Sequence, residues 1–217
     1  MLQRLLALFI GYGFGLILIG YLIGKSHHKD LRKLGSGNVG MTNTMRNFGF
    51  SSGLLTLICD LMKAVAASVV VYFIFRTKTG GSSIRLLMLY AAFGSVLGHD
   101  FPLYFKFRGG KGISTSAGLI LVAFPQTFPL VAGVFVLTVF LSRYISLGSI
   151  LAAGTFIAEV LVFGLCGFLP YEGTELCEAM VIGTCVGVLA IVKHHANLSR
   201  LISGTENPFT FHPKTKK

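Results

Sequence analysis

Charge is scarce in this chain: 12% of its 217 residues are Asp, Glu, Lys or Arg, against 53% hydrophobic, and the mean hydropathy is +0.74. A soluble domain carries about 25% charged residues, so this composition excludes one and points to an integral membrane protein. Acidic residues are the rarer sign, 8 against 19 basic, for a formal net charge of +11. That balance can mark a nucleic-acid binder, but here the cations flank apolar runs instead of covering a polar domain that could lie along a duplex, so no nucleic-acid partner is expected. Cys59, Cys166, Cys177 and Cys185 show no Cys-x-x-Cys spacing. They read as small buried hydrophobes, with no disulfide framework and no zinc site. There is no His-x-x-x-x-Asp pair and no ligand cluster at metal spacing, so neither a covalent nucleophile nor a metal or other cofactor is expected. Nor does one half repeat the other, as a transporter built from repeats would require.

What is present is a series of apolar runs. Residues 2–24 are long enough to cross a bilayer and end without a small-x-small cleavage pattern, so they read as a retained first span. A second run, with Ser51 or Ser52 as its cap, reaches about Phe75; a short turn over Thr77–Ser83 leads to a third at 84–97. Pro125 and Pro129 break the run at 113–141, which reads either as one kinked span or as two forming a hairpin, and runs at 149–168 and 176–192 follow. Counting the broken run as two gives an all-α polytopic fold of about seven helices. It also puts 14 of the 19 basic residues on one side, which the positive-inside rule assigns to the cytoplasm, with the N-terminus outside and the C-terminus inside. Residues 1–206 form one transmembrane domain and 207–217 a short basic tail. Asp60, Lys63 and Glu159 fall within spans and read as a structural charge cluster, more than about 10 Å from the polar loops at a rise of about 1.5 Å per residue.

Three polar stretches share the cytoplasmic face in this topology. In the first, Gly35, Gly37 and Gly40 alternate with Ser36, Asn38, Thr42 and Asn43, and Arg46 follows. Too polar to cross hydrocarbon, it is expected to fold back and line a cavity, its side chains bonding hydroxyls and Arg46 gripping a phosphate. In the second, running from Gly98 and His99 through Phe107-Arg108-Gly109-Gly110-Lys111-Gly112, glycine N–H groups and the lysine make an anion site, reinforced if a helix starts near Ser114. It is not a Walker loop, since Phe105 and Gly112 stand where glycine and Ser or Thr are needed. Aromatic residues interleaved with Lys106, Arg108 and Lys111 give this stretch the pattern of a membrane-interface segment. In the third, helical spacing puts His194, Asn197 and Arg200 near one face, offering an imidazole, an amide and a guanidinium to a common site. Ser146, in a short loop, is a further candidate.

Gly35-Ser-Gly-Asn-Val-Gly-Met-Thr-Asn43, Gly98-His-Asp-Phe-Pro with Phe107-Arg-Gly-Gly-Lys-Gly, and His194-His-Ala-Asn with Arg200-Leu-Ile-Ser-Gly-Thr-Glu206 together resemble the three motifs of the bacterial membrane glycerol-3-phosphate acyltransferases that take acyl phosphate as donor. Met41 replaces the usual alanine and Arg108 a common lysine; neither change removes a functional group. The resemblance implies transfer of an acyl group to the 1-hydroxyl of glycerol-3-phosphate, giving lysophosphatidic acid and phosphate for phospholipid synthesis. It assigns catalysis to Ser36, Arg46, Lys111, His194 and Asn197. Substrate binding falls to Gly35, Gly37, Asn38, Gly40, Thr42, Asn43, His99, Gly109, Gly110, Gly112, Ser146 and Arg200. The expected partners are glycerol-3-phosphate, acyl phosphate and membrane lipid, with the oligomeric state open.

Overall fold

A computed structural model describes residues 1–77 and 83–209. Most of the turn expected over 77–83 and most of the basic tail lie outside the described residues. Those described form α-helices joined by short turns, with no strand among them: α1 (Leu2–Gly15), α2 (Ile19–Ser26), α3 (Met41–Phe48), α4 (Phe50–Phe75), α5 (Ile84–Asp100), α6 (Ile113–Ala123), α7 (Phe128–Ser142), α8 (Ile145–Leu165), α9 (Gly173–Lys193) and α10 (His195–Ile202). Six helical segments are long and apolar enough to cross a membrane, counting α1 and α2 as one; α6 is apolar but has 11 residues. At about 1.5 Å per residue it is about 16 Å long, roughly half a hydrocarbon core. The seven expected helices are thus six spans and a half-length one.

Pro125 and Pro129 separate α6 from α7 as a hairpin does. Ile113 at the start of α6 and Ile145 just past α7 line the same cavity, so the chain goes out and returns. Helix α4 starts after Gly49, whose φ of +90° turns the chain directly out of α3, so Ser51 and Ser52 fall inside the helix and neither caps it. The first run is also not one straight helix. Leu16, Ile17 and Leu18 separate α1 from α2, and the carbonyls of Gly15 and Ile17 turn inward to the Lys63 ammonium.

α5 is the centre. One face packs Leu86, Leu89, Ala92 and Val96 with residues of α6, α8 and α9 around Phe124 and Phe156, and the other packs Leu87 and Ala91 against Ala7, Ala67 and Val71 of α1 and α4. α1 lies against α5 at backbone contact: a Cβ on Gly11 or Gly15 would strike the Ala91 or Ser95 carbonyl, and one on Gly94 or Gly98 would strike those of Leu8 or Tyr12. Small residues that let backbones touch supply the van der Waals contact that holds helices together in lipid. Outward, Phe140 on α7 and Leu165 on α8 are exposed, as lipid-facing residues are. The cysteines depart from the buried expectation: Cys166, Cys177 and Cys185 are exposed and Cys59 half-buried, because a thiol meets no penalty against hydrocarbon.

The intramembrane charges also differ from the expected trio. Lys63 pairs with Asp60 at 2.9 Å and contacts His99. Glu159 on α8 takes no part, and its buried Oε2 has no partner among the described residues. Nor are the charges remote from the loops, since Asp60 lines the same cavity as the polar stretches. The helix rise alone misplaces it, because the loops fold inward to meet α4.

The seam makes a direct prediction. Gly94→Val places a side chain on the Leu8 carbonyl and lowers stability by about 1–3 kcal/mol, the usual cost of overpacking. Gly133→Ala on α7 meets nothing within 4 Å and loses none. Thermal unfolding of the two variants in detergent separates them.

Candidate active site

The three polar stretches converge on one cavity of about 380 Å³. Its wall includes Arg46, Lys111 and Arg200, with Ser36, Thr42, His99, Ser146, His194 and Asn197 between them.

The first stretch is built around Asn43. Its amide Nδ2 donates to the carbonyls of Leu34 at 3.0 Å and Asn38 at 2.8 Å, while its Oδ1 accepts from the Ser36 N–H and from Asn47 Nδ2, both at 3.1 Å. Asn38 Oδ1 accepts the Gly40 N–H at 2.8 Å. The Asn43 amide is therefore spent on the loop itself and is not free to bond substrate hydroxyls, while Asn38 has its Oδ1 engaged and lines the cavity. Gly35 and Gly40 line the cavity with them. Gly37, at φ +71°, gives its N–H to the Leu34 carbonyl and stays outside the cavity. What the folded loop presents is the Ser36 hydroxyl, without a hydrogen-bond partner among the described residues, and the Arg46 guanidinium one helix further on.

The second stretch folds back along the end of α5. Gly109 donates its N–H to the Asp100 carbonyl at 3.2 Å and Gly110 to that of His99 at 2.9 Å. These N–H groups do not converge on an anion, and neither glycine lines the cavity. Their lack of side chains serves another end, since a Cβ on Gly110 would overlap the His99 ring. The anion-binding feature is the next step. Lys111 and Gly112, at φ +67°, lead into α6, whose first-turn residues Ile113 and Ser114, with N–H groups that have no intrahelical acceptor, line the cavity.

In the third stretch the last span ends at Lys193, whose ammonium donates to the Asp100 carbonyl at 2.8 Å and ties α9 to α5. His194 lies at the bend into α10, and its Nδ1 contacts the Ala190 carbonyl at 2.7 Å. A carbonyl only accepts, so Nδ1 carries the proton and Nε2 is a bare acceptor. After α10, Gly204 at φ +68° reverses the chain, with the N–H groups of Thr205 and Glu206 on the Arg200 carbonyl, and returns Glu206 over the helix. Its Oε1 accepts from Ser146 at 2.9 Å and Asn197 at 2.8 Å, and its Oε2 from Arg200 at 2.7 Å. With its Nδ2 committed to Glu206, Asn197 turns its Oδ1 to the Lys111 ammonium. Arg46 donates to the Asn207 carbonyl at 3.0 Å.

The electrostatics follow. Burial pushes Lys111 down to about 8, helped by Arg200 and Arg46 and opposed by Glu206. Burial, with Lys111 beside it, pushes His194 down to about 4, so at neutral pH it is an uncharged acceptor. For Glu206 burial works upward, but the hydrogen bonds from Asn197, Arg200 and Ser146 win and hold it below the usual carboxylate range.

The cavity thus brings together all the residues expected from the sequence except Gly37, Gly109 and Gly110. It adds Asp60, Glu206 and Asn207, which the sequence reading did not place there. Glu206 carried one signal: it is the lone acid within a basic polar stretch.

Comparison with known proteins bears on this arrangement. The family model described as Glycerol-3-phosphate acyltransferase matches residues 5–204. The glycerol-3-phosphate acyltransferase of Chlorobium luteolum is 38% identical over 97% of this chain and 98% of its own, and that of Pelodictyon phaeoclathratiforme 35% identical over 99% and 100%. Among solved structures, the glycerol 3-phosphate form of PlsY, an integral membrane glycerol 3-phosphate acyltransferase, superposes with a TM-score of 0.79 at 29% identity, covering 95% of this chain and 96% of that one. Its lysophosphatidic acid form gives 0.76 at 28%, covering 96% of each. With the match running from the first span through Arg200, this chain belongs to the glycerol-3-phosphate acyltransferase family.

Proposed function

We propose that the protein moves an acyl group from acyl phosphate to the 1-hydroxyl of glycerol-3-phosphate, at the cytoplasmic face of a bacterial inner membrane, by direct attack and without an acyl-enzyme. One observation carries this reading: the cationic cavity lies beside an apolar one of about 370 Å³, the two sharing Leu57, Ile113, Phe135 and Ser149 in their walls. The second cavity runs between α4, α6, α7, α8 and α9 and has Ser116 and Ser149 as its polar residues. A reactant with an anionic head in the first cavity and a hydrocarbon tail in the second suits this adjacent pair, and a second, fully polar phosphate ester suits the remainder of the first.

Two phosphate-bearing reactants bring roughly three to four negative charges, which Arg46, Lys111 and Arg200 offset. Lys111 and the start of α6 hold the acyl phosphate and stabilise charge on the leaving phosphate. Ser36, Arg46 and Asn197 place glycerol-3-phosphate, and His194 Nε2 accepts from its hydroxyl to orient it. The hydroxyl oxygen bonds to the carbonyl carbon, the carbon–oxygen bond to phosphate breaks, and the hydroxyl proton passes to a substrate phosphate oxygen, whose second pKa of about 6 suits it. His194, held near 4, is too weak a base to compete. The rule that cations face the cytoplasm orients the cavity inward.

The donor is tested by supplying purified protein with glycerol-3-phosphate and acyl phosphate, acyl-CoA or acyl carrier protein in turn. Lysophosphatidic acid is expected from acyl phosphate, and acyl-CoA as the sole working donor would overturn the assignment. The pH profile of kcat/KM is expected to rise through about 6, as the substrate phosphate loses its second proton, and to fall as pH passes about 8, where Lys111 loses its charge. The lysine acts in its protonated form, so its limb is the alkaline one, and Lys111→Arg should remove that limb. Ala153→Phe narrows the apolar cavity. If it leaves about four methylenes unburied at about 0.8 kcal/mol each, KM for palmitoyl phosphate rises by about two orders of magnitude, with octanoyl phosphate and glycerol-3-phosphate little affected.

A further inference from the structure

Lys63 lies inside the protein on α4, and its ammonium has N–H donors and no acceptor. It donates to Asp60 Oδ1 at 2.9 Å and to the Ile17 carbonyl at 3.3 Å, with the Gly15 carbonyl at 3.5 Å, and its remaining neighbour is His99 Nδ1 at 2.6 Å. An amine is a far stronger base than an imidazole, and the same nitrogen points its other N–H groups at Asp60 and the Ile17 carbonyl, so the shared proton belongs to Lys63. The alternative, an imidazolium donating from Nδ1 to Asp60 Oδ1, would have to span 3.5 Å, long for a charge-assisted bond. A ring nitrogen that accepts carries no proton, so neutral His99 carries its single proton on Nε2. That nitrogen lies where the absent Gly110 side chain leaves room and has no partner among the described residues, and His99 is, with Lys111, one of the residues that line the cavity.

We propose that Lys63, held by Asp60, is a positioning residue that locks His99 as an Nε2–H donor aimed at an oxygen of the phosphate-bearing substrate beside Lys111. The identity of that oxygen rests on the acyl-transfer reading; the tautomer does not. His194 shows the opposite arrangement in the same cavity, its Nδ1–H on the Ala190 carbonyl and its Nε2 left to accept. One imidazole donates and the other accepts, each fixed by what its far nitrogen meets.

A purely structural Lys63 would staple α4 to the break between α1 and α2 and leave the ring free to choose its tautomer. The two roles separate by NMR of the full protein in nanodiscs with ring-¹⁵N histidine, His99 being assigned by the signals lost in His99→Gln. Wild type is expected to show Nε2 protonated and Nδ1 unprotonated from pH 6 to 8; a protonated Nδ1 would overturn the proposal. Lys63→Met should give a mixture of tautomers and a kcat about 10- to 100-fold lower, the size of one lost hydrogen bond to a charged group, with KM for glycerol-3-phosphate changed less. Lys63→Arg, also a donor without an acceptor, should restore the tautomer and part of kcat. Combining His99→Gln with Lys63→Met should cost no more than the worse single change, whereas multiplied losses would mean that Lys63 does not act through His99. Should Lys63→Met fail to fold, the wild-type and Lys63→Arg spectra decide alone. An unprotonated Nδ1 in a protein that proves to use another acyl donor would leave the lock standing and remove only the substrate assignment.

Discussion

Arg46, Lys111 and Arg200 face one cavity at the edge of hydrocarbon, where like charges repel more strongly than in water. The fold can hold them there because Glu206 stands among them. Its carboxylate accepts from Arg200 directly, fixes Asn197 so that the amide oxygen meets Lys111, and reaches across to Ser146 at the start of α8. A chain with few acids thus uses one of them to fasten α10 to α8 and to moderate the repulsion among cations, while leaving enough unbalanced positive charge to receive two phosphates. Burial depresses the proton affinities of Lys111 and His194, and the same crowding of cations adds to it.

Much of this was legible in the residues because membrane sequences are strongly patterned. Apolar length gave the spans, and the basic residues at their ends put the polar stretches on one side. The stretches themselves were visible as glycine, asparagine and cation in places where hydrocarbon tolerates none of them. Individual roles were less legible. Asn38 and Asn43 have the chemistry of hydroxyl binders, but a loop this rich in positive φ leaves backbone groups to satisfy, and the nearest amides satisfy them. Gly109 and Gly110 have the spacing of an anion nest, yet their N–H groups close the end of α5. Spacing tells which residue types are near one another and not which way an N–H points.

Asp60 marks a different limit. Counting rise along α4 put it deep and apart, but depth in the membrane is not distance from a cavity when loops fold inward to meet it. The break between α1 and α2 is of the same kind. No proline announces it, and its carbonyls are satisfied by Lys63, a residue far along the chain, so no local rule could have placed it.

The glycine seam between α1 and α5 bears on how such a protein is made. α1 is made before α5, and the surface it fits is carried by Ala91 through Gly98, synthesised only after the whole of α4. Until then α1 has only α4 to pack against and its glycine face lacks the α5 surface it fits, so insertion and final docking are separate events in time. Assembly of the bundle is therefore set by the emergence of its middle, and the early helices behave as lodgers until that middle arrives.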